Sequence, residues 1–275
     1  MSVRYIDTHA HLNLPQFDTD RAAVIERNHA AKVGVINVGT RQATSQKAVA
    51  LATEHNAMWA IVGLHPLSVV STDPDDASAA RPETSFDTSF YQELAQSPAV
   101  VGIGECGFDY FHQGDDAYPV QREVFLAQIE LANKLGKPLM LHLRNRRDGH
   151  GRDAYEDALD ILRSTATVLG NAHFFAGTTA QAKAFFDIGF TISFTGVITF
   201  AAPYRELVEY APLDLIHAET DCPYVAPVPY RGQRAEPWQV QSVVETIAAM
   251  KGETEAAVET QLLQNAERLY GLPLT

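Results

Sequence analysis

The sequence predicts a (β/α)8 TIM barrel, with residues 1–275 as one domain. Eight short, apolar, strand-like runs recur along the chain, and helix-like stretches fill most of the gaps between them. Polar residues of metal-ligand type stand at the ends of six of those runs, at the rim where such barrels carry their functional groups. The alternative is an open doubly wound sheet. It would be favoured by a Gly-rich dinucleotide fingerprint or a G-x-x-x-x-G-K phosphate loop, and the chain has neither.

In chain order, the first strand is expected at residues 3–6, followed by a helical pattern at 21–31. The second strand, 33–38, a helix at 42–55 and the third strand, 58–62, follow. Residues 68–89 are rich in Ser, Thr, Asp and Pro and are expected as a long loop over one rim. The fourth strand, 100–103, precedes the clearest helix, 120–135. There Val120, Val124, Ala127, Leu131 and Leu135 form one stripe, Gly136 suits the C-cap, and Pro138 blocks continuation. Strands at 138–141, 168–172, 190–194 and 213–217 complete the eight. Helices at 153–162, 179–188, 204–210 and 237–250 accompany them, and a terminal helix is expected at 253–269.

Composition narrows the function classes. Hydrophobic residues make up 46% of the chain, ample for a core, but their runs are short and interrupted, so no membrane span is expected. The first residues lack a signal-peptide pattern, and Cys106 and Cys222 lie far apart. A reducing cytoplasm without a disulfide framework is therefore the expected compartment. The formal net charge is −13, from 21 basic and 34 acidic residues, which argues against nucleic-acid binding by broad electrostatics. Affinity for phosphate must come from bound cations or a local basic patch. Arg144, Arg146, Arg147 and Arg152 crowd the loop after the fifth strand, and Arg231 and Arg234 the loop after the eighth. Asp148 and Asp153 lie among the first group, so the footprint suits one or a few phosphates rather than a long duplex.

His9 and His11 stand two residues apart in extended sequence, so both imidazoles face one way, as a metal ion bound by neutral ring nitrogens requires. An isolated His-x-His is more often two polar residues in a turn. The company this pair keeps changes the reading. His65 ends the third strand, Glu105 the fourth, His142 the fifth, His173 the sixth and Asp221 the eighth. Any one of these alone reads as a hydrogen-bonded histidine or a helix cap. Together they can hold two divalent ions that share one carboxylate. Imidazoles suit zinc and other transition ions, and carboxylates also admit manganese or magnesium. Two such ions can hold a hydroxide between them and stabilise attacking and leaving oxygens. Cys106 and Cys222 follow proposed ligands directly, so they point to the opposite face and read as space-filling. His29, His55 and His112 read as surface or helix histidines, His150 as a loop residue and His217 as structural. Phe108 and Tyr110 read as packing residues.

Six motifs occur in order: D-T-H-A-H-L at 7–12, G-L-H-P at 63–66, G-E-C-G-F-D-Y at 104–110, L-H-L-R at 141–144, H-F-F-A-G at 173–177 and E-T-D-C-P at 219–223. With N-A-E-R-L-Y at 265–270, the set resembles the TatD-type metal-dependent deoxyribonucleases, which belong to the amidohydrolase-like barrels. The resemblance covers the whole chain and implies roles. His9, His11 and Asp221 would hold one ion, His142 and His173 the other, and Glu105 would bridge them. Asp221 would also accept the proton of the attacking water. His65 and Arg144 would contact a substrate phosphate; Arg231, in the basic loop after the eighth strand, is read from that local charge as a further substrate contact. The substrate implied is DNA ends or another phosphate-bearing molecule, with no membrane and no obligate protein partner. Leu143, Phe174, Gln233 and Ala235 depart from the usual family pattern, which bears on substrate preference more than on hydrolysis. Two other readings remain open: a small-molecule hydrolase of amides, lactones or phosphoesters, and a non-catalytic binding protein on the same barrel.

Overall fold

All eight expected strands are present, and they form one parallel sheet in sequence order. The computed structural model describes residues 3–71 and 82–274. The strands are β1 (Tyr5–Ala10), β2 (Val33–Val38), β3 (Met58–Val62), β4 (Val100–Asp109), β5 (Leu139–Arg144), β6 (Gly170–Ala172), β7 (Thr191–Phe194) and β8 (Ile216–Ala218). The ring closes just beyond the strand ends. Ala10 bridges Cys222, the Asp221 N–H donates to His9 O at 2.9 Å, and the His11 N–H donates to Cys222 O at 2.9 Å. The helices are α1 (Arg21–Ala30), α2 (Gln42–Glu54), α3 (Pro66–Val70), α4 (Thr88–Leu94), α5 (Tyr110–Gln113), α6 (Tyr118–Leu135), α7 (Ala154–Thr165), α8 (Thr179–Asp187), α9 (Tyr204–Tyr210), α10 (Val240–Lys251) and α11 (Glu255–Tyr270). Among the described residues no helix is long and apolar enough to cross a membrane.

The strand bounds differ from expectation where polar residues replace apolar ones. β1 continues past residue 6 through Asp7, Thr8 and His9, and β4 continues past residue 103 to Asp109. Apolar patterning stops at the site, but the backbone ladder does not, because the polar side chains there are buried among hydrogen-bond partners. Each of these strands also shifts register, between Asp7 and Ala10 and between Ile103 and Cys106, where His9 and Glu105 leave the regular pleat. Gly104 permits the second shift. Its φ is +146°, and a Cβ there would stand 2.4 Å from Met140 O. β8 begins later than expected because residues 213–215 form a 3-10 turn.

The stretch expected as a loop at 68–89 starts inside α3 and ends in α4, while residues 72–81 lie outside the described residues. α3 begins at Pro66 with the His65 side chain as its cap, and Asp87 caps α4 by accepting from Phe90 N at 3.1 Å. α6 ends at Gly136 in the left-handed conformation, as expected. Its buried face is Gln121, Val124, Phe125, Gln128, Ile129, Leu131 and Ala132, turned from the apolar stripe that periodicity suggests. The two glutamines explain the turn. Gln128 bonds both Leu64 N and Leu64 O at 2.9 Å, and Gln121 accepts from Asp109 N at 3.1 Å. Gln128 therefore holds the loop that carries His65, and Gln121 the end of β4 at Asp109.

Apolar burial falls in two layers. The larger lies between the sheet and the helices and includes Phe17, Val35, Phe125, Leu141, Leu159 and Phe185. The smaller gathers Ile6, Ile36, Trp59, Ile61 and Met140 with Tyr270 and Leu272 at the end of α11. Most of its strand residues come from the amino-terminal halves of their strands, so it plugs that end of the barrel. Each large side chain fully buried there stabilises by roughly 1.5–3 kcal/mol, and access to the interior is left to the carboxyl-terminal rim.

Candidate metal centre

Seven titratable residues from six strand ends meet inside that rim: His9, His11, His65, Glu105, His142, His173 and Asp221, none more than 9% exposed. Glu105 is central, and its two oxygens face different groups. Oε2 lies 3.4 Å from His9 Nε2 and 3.8 Å from His11 Nε2. Oε1 lies 2.7 Å from His173 Nε2, 2.9 Å from His142 Nδ1 and 3.4 Å from His65 Nε2. Asp221 Oδ1 completes the first side, 3.4 Å from His11 Nε2 and 3.7 Å from His9 Nε2. The two Nε2 atoms of His9 and His11 are 3.0 Å apart. Two ligands about 2.0–2.2 Å from one ion stand about 3–3.5 Å from each other, so the spacings of 3.0–3.8 Å among His9, His11, Glu105 and Asp221 are close to those of a ligand shell, while the 2.7 and 2.9 Å contacts of Oε1 are hydrogen-bond lengths. In three sets, His9–His173–Asp221, His9–His11–Glu105 and His65–Glu105–His142, the ligand atoms all lie within 4.8 Å of one another.

The outer hydrogen bonds fix which nitrogen faces inward. His11 Nδ1 donates to Val38 O at 2.9 Å, leaving the Nε2 lone pair toward the cluster. His142 is reversed: Nε2 donates to Asp109 Oδ2 at 2.9 Å, so Nδ1 faces Glu105. His65 differs in kind. Its Nδ1 accepts from Leu67 N at 3.0 Å, so the neutral ring carries its proton on Nε2 and presents a donor, as a phosphate contact requires and a metal ligand does not. His173 Nδ1 stands 3.5 Å from Glu219 Oε1, and His9 Nδ1 has no hydrogen-bond partner.

The electrostatics favour a cation. Burial alone would raise the Glu105 carboxyl, but His173, His65 and His9 outweigh it and hold Glu105 well below the usual carboxylate range. Asp221 is also lowered: burial opposes ionisation, and the His11 hydrogen bond and nearby imidazoles overcome it. Burial lowers His173, yet Glu105 and Glu219 carry it up to about 10. The carboxylates here are ionised and attract positive charge, and the donors are nitrogen and oxygen atoms suited to a divalent transition ion. The residues present therefore fit the expected metal.

The cluster floors a cavity of about 260 Å³, whose walls include Thr40, Leu67, His112, Arg144, Phe174 and Tyr224. Arg144 is among its walls. One Nη1 donates to Phe174 O at 2.7 Å and the guanidinium lies 4.0 Å over the Phe174 ring, which leaves its other N–H groups for an anion. Arg231 is not brought to this cavity: it donates to Ala226 O at 3.0 Å and covers Phe200 at 3.9 Å. Arg152 and Arg234 are taken up by Asp157 and Asp20. A larger groove of about 750 Å³ runs along α6 past Arg122, Leu126 and Glu130, but no buried histidine or carboxylate faces it.

Sequence reasoning missed Asp109 and Glu219, both fully buried. Both lie within the motifs, one place past Phe108 and two before Asp221, but neither carries a spacing signal of its own. Asp109 joins His142 to His112, accepting from His112 N at 2.8 Å and lying 2.9 Å from its Nδ1. His112, expected as a bystander, therefore lines the cavity. Glu219 accepts from Phe174 N at 2.6 Å and Ser193 Oγ at 2.7 Å and so holds the turn that seats Arg144. Cys106 and Cys222 are free and buried, with burial pushing both thiols up, as space-filling residues should be. Phe108 and Tyr110 are packing residues, at 0% and 1% exposure. His217 is buried in β8 beside Thr191, a structural position.

Residues 6–271 match the family model for TatD-related DNases. The chain is 36% identical over 269 residues to the uncharacterized metal-dependent hydrolase YabD of Bacillus subtilis, covering 96% of this chain and 98% of that protein. It is 33% identical over 278 residues to the 3'-5' ssDNA/RNA exonuclease TatD of Erwinia billingiae, covering 97% and 99%. The crystal structure of YjjV, a TatD homolog from Escherichia coli, superposes with a TM-score of 0.83 at 27% identity over 99% of this chain and 100% of that one. Because the family match runs from β1 to the end of α11 and takes in every strand that feeds the cluster, the chain belongs to the TatD-related DNase family.

Proposed function

We propose that the chain is a single-domain, metal-dependent nuclease that hydrolyses phosphodiester bonds at the ends of single-stranded DNA. In this reading His9, His11 and Asp221 hold one divalent ion, His142 and His173 a second, and Glu105 bridges them. The observation that carries it is the division of Glu105, with Oε2 3.4 Å from His9 Nε2 and Oε1 2.7 Å from His173 Nε2. Four imidazoles with two carboxylates suit zinc or manganese, and suit magnesium less because it prefers oxygen ligands. When bound, the cations would polarise a water molecule and neutralise charge on the phosphate.

The protein's own groups supply the rest. Asp221 is the acceptor for the water proton, a task its ionised carboxyl can perform. The Asp221 N–H bond to His9 O, at 2.9 Å, fixes its backbone against β1. His65 Nε2–H and the free N–H groups of Arg144 hold phosphate oxygens and orient the scissile bond. A floor at most 9% exposed keeps bulk water from these charges. Family membership and the 33% identical exonuclease support a nucleic-acid substrate. The cavity of about 260 Å³ suits one nucleotide unit at a strand end. The cytoplasm is its proposed compartment, supported by the two free, buried cysteines.

Glu105→Ala tests the reading. It should abolish hydrolysis of end-labelled single-stranded DNA and reduce bound metal measured by plasma mass spectrometry, and chelation of the wild type should reproduce the loss. Wild-type turnover by the variant at saturating metal would refute the bridging role. The net charge of −13 and the small cavity favour a second reading, a small-molecule hydrolase. It is selected if small phosphoesters, lactones or amides turn over and no strand is cut.

A further inference from the structure

A second groove of about 510 Å³ opens beside the metal cavity, between α5 and the loop that follows β5. It is lined by Phe111, His112, Arg146, Arg147 and Asp148, among others, and His112 also lines the metal cavity, so the two spaces share a wall. Phe111 is 47% exposed, and among the described residues its one ring contact is His112, at 4.8 Å. About half of this apolar residue is thus left open to solvent in the groove. Arg146 is held by Asp148, with bonds of 3.1 and 2.8 Å. Arg147 is exposed and has no hydrogen bond or ion pair among the described residues. In a chain of net charge −13, neighbouring Arg152 and more distant Arg234 are both paired with carboxylates, whereas Arg147 lines the same groove as the open Phe111 ring.

The groove is also preformed. Asp109 accepts from His112 N at 2.8 Å, Gln113 donates to Ser71 Oγ at 2.8 Å, and Tyr110 donates to Asp157 at 2.7 Å, which ties α5 to three neighbouring segments. Binding therefore requires little ordering of the protein.

We propose that this groove is a second nucleotide subsite, in which Phe111 stacks on the base adjacent to the terminal nucleotide and Arg147 contacts a neighbouring phosphate of single-stranded DNA. The inference rests on the nuclease reading above. The charge matches a phosphodiester backbone, the aromatic face matches a base without regard to sequence, and continuity through His112 sets the groove next to the reacting bond. A duplex end would keep its bases paired and stacked away from Phe111, so the subsite favours single strands.

The test uses the full-length protein and a ten-nucleotide strand with 2-aminopurine at the penultimate position of either end. Binding is measured in chelator so that nothing is cut, and hydrolysis is measured with divalent ions. The wild type should quench 2-aminopurine at one end. Phe111→Ala should remove the quench and raise KM for the strand about 5- to 100-fold, and Phe111→Trp should restore both. Arg147→Ala should weaken binding and lower the slope of log affinity against log salt by about 0.7, the contribution of one phosphate on a single strand. The KM for bis(4-nitrophenyl) phosphate, which is too short to span both cavities, should move much less than that for the strand. Equal quench and equal strand KM in wild type and Phe111→Ala would overturn the subsite while leaving the nuclease intact. A wild type that turns over the small ester but cuts no strand would overturn the nuclease reading and the subsite with it.

Discussion

Replacing Asp109 should loosen the site without touching a proposed ligand. Its carboxylate is fully buried and receives His142 Nε2 at 2.9 Å and His112 N at 2.8 Å, with His112 Nδ1 at 2.9 Å. Asp109→Asn keeps the shape but removes the charge, and one amide oxygen cannot serve both histidines as the carboxylate does. A hydrogen bond to a charged group contributes about 1.5–3 kcal/mol and a neutral one about 0.5–1.5, so the exchange weakens the anchor by about 1–1.5 kcal/mol, or roughly tenfold. Asp109→Ala goes further. His142 then has no acceptor for Nε2–H, and moving the proton to Nδ1 removes the lone pair that faces Glu105. Loss of such an outer partner lowers metal affinity or activity by about 10- to 100-fold. Calorimetric titration of zinc or manganese into stripped protein, with turnover of single-stranded DNA at saturating metal, reads both quantities. The order should be wild type, then Asn, then Ala, with thermal unfolding to exclude global damage. Metal affinity and turnover of Asp109→Ala within twofold of wild type would refute the tautomer argument for His142.

Two further outcomes follow from other parts of the structure. Arg144→Ala should raise KM for DNA by about 10- to 100-fold, the value of a charge-assisted contact, with a smaller change in kcat. Arg144→Lys should recover little of this because an ammonium cannot both bond Phe174 O and lie flat on the Phe174 ring; full recovery in steady-state kinetics would contradict the proposed contact. Burial, with a smaller effect of Arg268, pushes His217 from 6.5 down to about 3. The unfolded chain therefore takes up a proton below pH 6.5 that the folded one refuses, and stability falls as pH falls through the window from 6.5 toward 3. Between pH 7 and pH 5 this group alone removes about 2 kcal/mol, so the urea midpoint of His217→Asn should drop less over that interval than that of the wild type; parallel drops would place His217 in a more solvated setting.

The barrel was legible because strands and helices in this chain obey their periods. Apolar runs near 33–38 and 58–62 match β2 and β3 to the residue, and Gly136 and Pro138 mark the end of α6. Legibility failed where buried polar residues carry structure. β4 runs six residues past residue 103 because Glu105 and Asp109 are satisfied inside the protein, and a hydropathy pattern cannot distinguish a buried, bonded carboxylate from a solvated one. Gln121 and Gln128 turned the face of α6 for the same reason. The convergence of His9, His11, Glu105, His142, His173 and Asp221 could be read from barrel topology, since strand ends share a rim whatever lies between them. Arg231 could not be placed that way. It sits thirteen residues past the end of Ile216–Ala218, in a loop where it packs on Phe200 and bonds Ala226, contacts no sequence period encodes.

An acidic chain can act on an acidic polymer because the relevant charge is local. At 0.15 M salt the Debye length is about 8 Å, so the −13 spread over the surface is largely screened at the rim, whereas the buried cluster is not. Within that cluster the carboxylates outpull burial and draw His173 up to about 10, so a proton on this imidazole offsets part of the negative charge of the metal-free centre. A divalent ion entering there must displace such a proton, which couples metal uptake to pH. It also converts a site that repels phosphate into one that attracts it. Arg144 lines the metal cavity, fixed on Phe174, and Arg147 lines the adjoining groove without a partner among the described residues. Their position reinforces the change of sign along a path a single strand can follow, while the paired arginines elsewhere add nothing to it.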